Sequence, residues 1–350
     1  MTAEPLLPPI TCPSSLVASC APLLGFVPSR CLVGFIHGVP GRISPVILRV
    51  DLPPRQHAVA AATQTALSID GTGGSAVDWV AWVEDTDSAA RDDLSSAPFL
   101  SELTAALDLV GIEVGANLST NGRVWWSHAC SDPECCPGEG TLLDGAIMDT
   151  IRAEYVYAGY APLGSRADLV ARIARDDRRA AEVGTVLARR QPPAPTQRWR
   201  EAQIRFLTGR FLPRDACTAP ATPMAASASA RLHRALRDIR VRDVVLHRLV
   251  VRGHHCDRCW EGTIETLCEA VRTAPEGGCA PAATILALVA WMRGDGALAT
   301  LSIQRALAED PEYRLATLAA RLMAQGSDPR LWRESLAGLS ESECRNPGRR

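Results

Sequence analysis

The chain has 350 residues, 47% of them apolar and 5% aromatic, which is globular composition with enough apolar surface to bury a core, and its formal charge is −2. All 37 basic residues are arginine, so chemistry that needs an ε-amine is excluded: pyridoxal Schiff bases, a P-loop lysine, a kinase strand lysine. The small net charge conceals an asymmetry, because residues 1–150 carry 6 Arg against 17 acids (−11) and residues 151–350 carry 31 Arg against 22 acids (+9). Such a split predicts either a complementary interface between two halves or a basic surface for an acidic partner.

The opening MTAEPLLPPITCP lacks the basic and uninterrupted apolar regions of an export signal, and no apolar run approaches the roughly 20 residues of a membrane span. A cytoplasmic, reducing location is therefore expected, where the 12 cysteines point to metal or redox chemistry more than to bridges. Ser14 or Ser15 is expected to cap a helix from Leu16 to Leu24 that stops at Gly25. CLVGFI (Cys31 to Ile36) and VILRVDL (Val46 to Leu52) read as a hairpin, and Pro53-Pro54 opens a helix over Arg55 to Ser68.

After GTGGS, VDWVAWV (Val77 to Val83) reads as a strand with Trp79 and Trp82 on opposite faces, and an acidic loop runs from Glu84 to Asp93. Phe99, Leu100, Leu103, Leu107 and Val110 form a helical stripe in Ser96 to Val110. Two strands, Ile112 to Leu118 and Arg123 to Ser127, follow around a Thr-Asn-Gly turn. This order predicts a mixed sheet with packed helices. The GTGG run follows a helix, not a strand, which argues against a phosphate cradle.

From Leu143 strand signals almost vanish. Helices are expected near 144–157, 166–174, 178–190, 197–208, 225–252, 260–272, 282–293, 297–308 and 314–325, with Pro192, Pro193 and Pro195 as a hinge. Leu286, Ala287, Ala299, Ile303, Ala306 and Pro311 around Gly294-Asp295-Gly296 are spaced like one tetratricopeptide helix pair, without a second copy. The expected fold class is thus an α/β domain, residues 12–160, followed by an all-α domain, residues 161–340, with a tetratricopeptide-like pair.

The stretch GRVWWSHACSDPECCPGEG, Gly122 to Gly140, is furthest from average composition. His128, Cys130, Cys135 and Cys136 offer the four nitrogen or sulfur donors that zinc takes in a tetrahedron. On a strand continued through residue 130, His128 and Cys130 share a face, whereas the vicinal Cys135 and Cys136 are expected to diverge. The same segment also reads as small buried thiols in a turn shaped by Pro133, Pro137, Gly138 and Gly140, or as a redox-sensitive Cys130 or Cys135. Against the redox reading, Asp132 and Glu134 are expected to raise the thiol pKa. A second cluster, His254-His255-Cys256-Asp257-Arg258-Cys259, contains one C-x-x-C without a partner motif. Residues 166–252 hold 19 Arg against 8 acids, but only Trp199, Phe206 and Phe211 are available to stack bases.

The segments Leu23 to Phe35, Val50 to Pro54, Gly122 to Gly140 and Gly294 to Leu318 resemble an actinobacterial family, the domain-of-unknown-function family numbered 4192, with its GR-x-W-W-S-x-x-C-x-D-P-x-C-C-P signature. The resemblance covers most of the chain and implies a similar opening helix and strand and a similar helical end, but no activity. It places Trp125, Trp126, Ser127, Cys130, Asp132, Pro133, Cys135, Cys136 and Pro137 in the family turn. His128 departs from that pattern, and Cys31 stands where a serine is expected. The leading functional expectation is a binding or regulatory protein acting through contacts with another protein. The alternative is a zinc-dependent hydrolase or redox protein centred on Cys130, Cys135 and Cys136. Nucleic-acid binding through the arginine-rich helices ranks third, and no membrane association is expected.

Overall fold

The continuous apolar run of 31–36 and the partly alternating apolar residues of 46–51 and 76–82 extend into strands, and the first of these is buried on both faces of the sheet. The computed structural model describes residues 8–84, 89–189, 194–212, 223–253 and 257–345, the side chains of Asp257 and Arg258 excepted. They fall into two compact units, residues 1–168 with 324–326 and residues 169–323 with 327–350.

In the first unit the strands β1 (Cys31–His37), β2 (Val46–Asp51), β3 (Ala76–Trp82), β4 (Glu113–Thr120), β5 (Val124–Ser127) and β6 (Thr141–Leu142) form one sheet in the order β2-β1-β3-β4-β5-β6. Only β3 and β4 are parallel, and the other neighbours are antiparallel, so the sheet is mixed as expected. The parallel pair requires a crossover, which is made by the helix Ala97–Leu109. Helices α1 (Pro13–Leu24), α2 (Ala58–Asp70), α3 (Ala97–Leu109) and α4 (Gly145–Tyr157) flank the strands. The stripe Phe99, Leu100, Leu103 and Leu107 joins Ala62, Ala66, Ile69, Leu32, Ile36, Val77 and Trp79 in one core beneath α2 and α3. Trp79 and Trp82 are both buried. Trp79 belongs to that core and donates its Nε1–H to Asn117 Oδ1 at 2.6 Å, while Trp82 lies against Cys20 of α1, so the two indoles take opposite faces.

The details differ from the sequence reading at α1. Its N-cap is Cys12, and Ser15 serves from inside the first turn, its Oγ accepting the Cys12 N–H at 3.0 Å. Gly25 ends the helix with φ +78 as expected. Part of the acidic loop, residues 85–88, lies outside the described residues.

The second unit is helical throughout its described residues. The single helix expected over 225–252 is two, Ala226–Leu236 and Ile239–Val251, because Asp238 caps the second with its Oδ1 on the Arg240 and Val241 amides. The helix Ala280–Met292 is apolar on every side and buried along its length. It pairs with Gly296–Glu309 across a turn in which Gly294 has φ +82 and Asp295 Oδ1 accepts the Leu298 N–H at 2.9 Å. Two further helices, Pro329–Ala337 and Glu341–Arg345, were not anticipated. Arg248 and Arg252 hold the last of these through Glu341 at 2.8 and 2.7 Å. Pro192 and Pro193 lie outside the described residues, as do His254, His255 and Cys256; Cys259 is buried in the helix Asp257–Arg272.

Candidate metal centre

The β4–β5 hairpin is closed by its own polar side chains. Asn121 Oδ1 accepts the amides of Arg123 (3.0 Å) and Val124 (2.9 Å), and Thr120 Oγ1 donates to Val124 O at 2.7 Å. The turn thereby sets a register of Leu118 opposite Ser127 and Ser119 opposite Trp126. Trp126 is buried with Val83, Leu94 and Val124, whereas Trp125 is half-buried. These residues form the base from which the cysteine segment leaves.

Strand β5 does not continue to residue 130. Ser127 Oγ accepts the amides of Ala129 (3.3 Å) and Cys130 (3.1 Å), a local alternative to the ladder that bends the chain out of the sheet. His128 and Cys130 therefore part. His128 donates its backbone N–H to Asn117 O at 2.8 Å, and its Nε2 lies 2.8 Å from Ser119 Oγ, which is 2.8 Å from Ser96 Oγ at the N-cap of α3. Burial, and after it the Arg91 guanidinium, push this imidazole down to about 4, so it is neutral at pH 7. The ring serves an inward hydrogen-bond chain.

Beyond Cys130 the chain folds on itself. Asp132 O accepts the Cys136 N–H at 2.7 Å, Asp132 Oδ1 accepts the Glu134 N–H at 2.9 Å, and Pro137 O accepts the Gly140 N–H at 3.0 Å. Gly140 has φ +90, and a Cβ there would stand 2.8 Å from Trp126 Nε1, so only glycine lets the chain pass the indole and rejoin the sheet as β6. Arg91, in a 3₁₀ turn Arg91–Asp93, grips the segment on both sides. Its Nη1 donates to Cys130 O at 2.7 Å and its backbone N–H to Gly138 O at 2.9 Å.

This folding brings three thiols together. The Sγ atoms of Cys130, Cys135 and Cys136 all lie within 4.8 Å of one another, and they are the one such group of potential ligands among the described residues. The vicinal pair does not diverge: Cys136 Sγ is 3.8 Å from Cys135 Sγ. A zinc ion with Zn–S bonds of about 2.3 Å has tetrahedral S···S edges of about 3.8 Å, so the donor set fits that ion with small inward movements. Cys135 is exposed, Cys130 half-buried and Cys136 buried. The backbone N–H of Asp132, with the Cys136 thiol behind it, holds Cys130 below the ordinary thiol range, while burial and the neighbouring Cys130 and Cys135 push Cys136 up to about 11. The expectation that Asp132 would raise the thiol pKa is thus reversed for Cys130, because its amide lies against the sulfur and outweighs its carboxylate. His128 is not a member of the group.

Arg91 and Ser119 had no place in the sequence reading, and Ser96 entered it only as the first residue of a helix. Arg91 lies 39 residues from Cys130, and nothing local to it signals the contact. Ser127 was read as the end of the strand and a residue of the family turn, and a serine followed two and three residues later by amides in need of partners is the turn signal that could have shown its bending role.

Fold and site together define the class of protein: a mixed-sheet unit with a three-thiol turn inserted between β5 and β6, and an all-helical unit after it. The model for a domain of unknown function, DUF4192, matches residues 13–330, and the chain belongs to that family. No curated protein and no solved structure matches it. Among the described residues no helix is long and apolar enough to cross a membrane.

Proposed function

We propose that this protein is a thiolate metal-binding protein that holds zinc through Cys130, Cys135 and Cys136. One observation carries the reading: three Sγ atoms within 4.8 Å of one another on a turn already braced by Arg91 and Ser127. Zinc-thiolate bonding supplies the strongest available reason for gathering thiols from so short a segment, and the exposed side of Cys135 leaves a fourth position open to water or a further ligand. Protein purified under reducing conditions is expected to contain one equivalent of zinc by elemental analysis, and Cys136→Ser to lose it. Wild-type protein without stoichiometric metal, reloaded at micromolar zinc and still empty after desalting, would remove this reading.

A second reading, contact with another protein, is supported by the outward face of α2, where Val59 and Leu67 are 61% and 58% exposed. Val59→Glu with Leu67→Glu is expected to abolish any association seen by sedimentation without altering the fold; a sedimentation coefficient independent of both substitutions and of concentration counts against it. Nucleic acid is left aside because Arg179, Arg200 and Arg248 are paired with Glu269, Asp238 and Glu341 within the helical unit.

A further inference from the structure

The three thiols are not equivalent. Cys135 is exposed and Cys136 is buried, and between Cys130 and Cys135 the chain makes a tight reversal held by the Asp132 carbonyl and carboxylate. A disulfide between the vicinal Cys135 and Cys136 would close an eight-membered ring around their shared peptide, which strains it. Cys130 and Cys135 are separated by four residues on opposite limbs of the reversal, and their sulfurs need to approach from no more than 4.8 Å to the about 2.0 Å of a disulfide. Resting on the metal reading above, we propose that Cys130 and Cys135 are an oxidisable pair, and that their conversion to a disulfide by a peroxide expels the metal from the turn.

The step balances. The Cys130 thiolate attacks one peroxide oxygen, the O–O bond breaks, and the departing oxygen leaves as water (or alcohol) after taking a proton, with a sulfenic acid left on Cys130. The Cys135 thiolate then attacks the Cys130 sulfur, the S–S bond forms, and the sulfenic hydroxyl departs as water with a second proton. The two thiolates together give up two electrons to the peroxide, the two protons come from solvent, and the peroxide is reduced to two waters (or a water and an alcohol). Two of the three ligands are consumed, and a lone Cys136 does not hold zinc.

Full-length zinc-loaded protein is treated with hydrogen peroxide, with released metal read by a chromogenic chelator and thiols by differential alkylation and mass spectrometry. Trypsin isolates the site in one peptide, since no arginine occurs between Arg123 and Arg152. The expected result is stoichiometric zinc release together with a two-hydrogen mass loss in the 124–152 peptide, fragmented to a Cys130–Cys135 linkage. Cys136→Ser keeps the linkage, and Cys135→Ser loses it. Sulfinate or sulfonate without a disulfide, or a linkage that persists in Cys135→Ser, overturns the pair. Zinc that stays bound after the disulfide has formed overturns the expulsion while leaving the metal reading intact. Should the reduced protein hold no zinc, the metal reading fails and the expulsion with it, and the mass loss in the wild-type peptide decides the pair separately.

Discussion

His128 and Gly140 show how single residues shape the turn. The folded imidazole titrates near 4 against an unfolded value of about 6.5, so the unfolded chain takes up the proton first. The contribution to stability is complete above pH 6.5 and is lost as pH falls toward 4, by about 3 kcal/mol in all. His233, buried in the helix Ala226–Leu236, is pushed down to about 4 by burial and Arg237 and adds a loss of the same sign in the same window. Urea midpoints taken between pH 7.5 and 4.5 are expected to fall steeply in the wild type and less steeply in His128→Asn; an unchanged slope would mean that the imidazole is not buried as described. At Gly140 the backbone is left-handed and the space for a Cβ is filled by the Trp126 indole and the Trp125 carbonyl. Gly140→Ala is therefore expected to cost about 2–3 kcal/mol, read by denaturant titration, where a helix-surface glycine such as Gly184 would cost nothing or gain.

At the scale of elements, the β5–β6 connection depends on a residue from another loop. Arg91 satisfies the carbonyls of Cys130 and Gly138 that a turn facing solvent would leave to water. Its removal leaves the thiols in the chain but not in place, and supporting contacts of this kind are worth about 10–100-fold in metal affinity. Arg91→Met is expected to weaken zinc binding by that order in competition with a chelator while the far-ultraviolet spectrum stays unchanged. Equal affinity would mean that the turn organises itself. The same element shows where sequence reading reached and where it stopped. The Asn-Gly turn, the strands on either side and the cysteine-rich loop were legible because each is specified by neighbours in the chain. The two-residue strand β6 was not, since Thr141 and Leu142 extend only because Val124 and Trp125 are there to pair with them.

For the whole molecule, the thiol turn lies in the sheet unit and the long apolar helix pair in the helical unit, each with its own core. Metal removal is accordingly expected to speed amide hydrogen exchange across β5, β6 and the intervening turn, and to leave peptides from Ala280–Met292 and Gly296–Glu309 unchanged; loss of protection spread evenly over both would contradict a local site. Composition alone determined that the chain is globular, lysine-free and split in charge, and hydrophobic period alone determined a mixed sheet followed by helices, because those properties are sums over neighbours. Which thiols meet was decided only in three dimensions. The sequence offers His128, Cys130, Cys135 and Cys136 as four donors, with His128 outside the family pattern, and in the fold Ser127 bends the strand, Ser119 takes the imidazole and Arg91 holds the loop. Each of these acts through a hydrogen bond whose partners the folded sheet brings into reach, and three sulfurs are left facing one another.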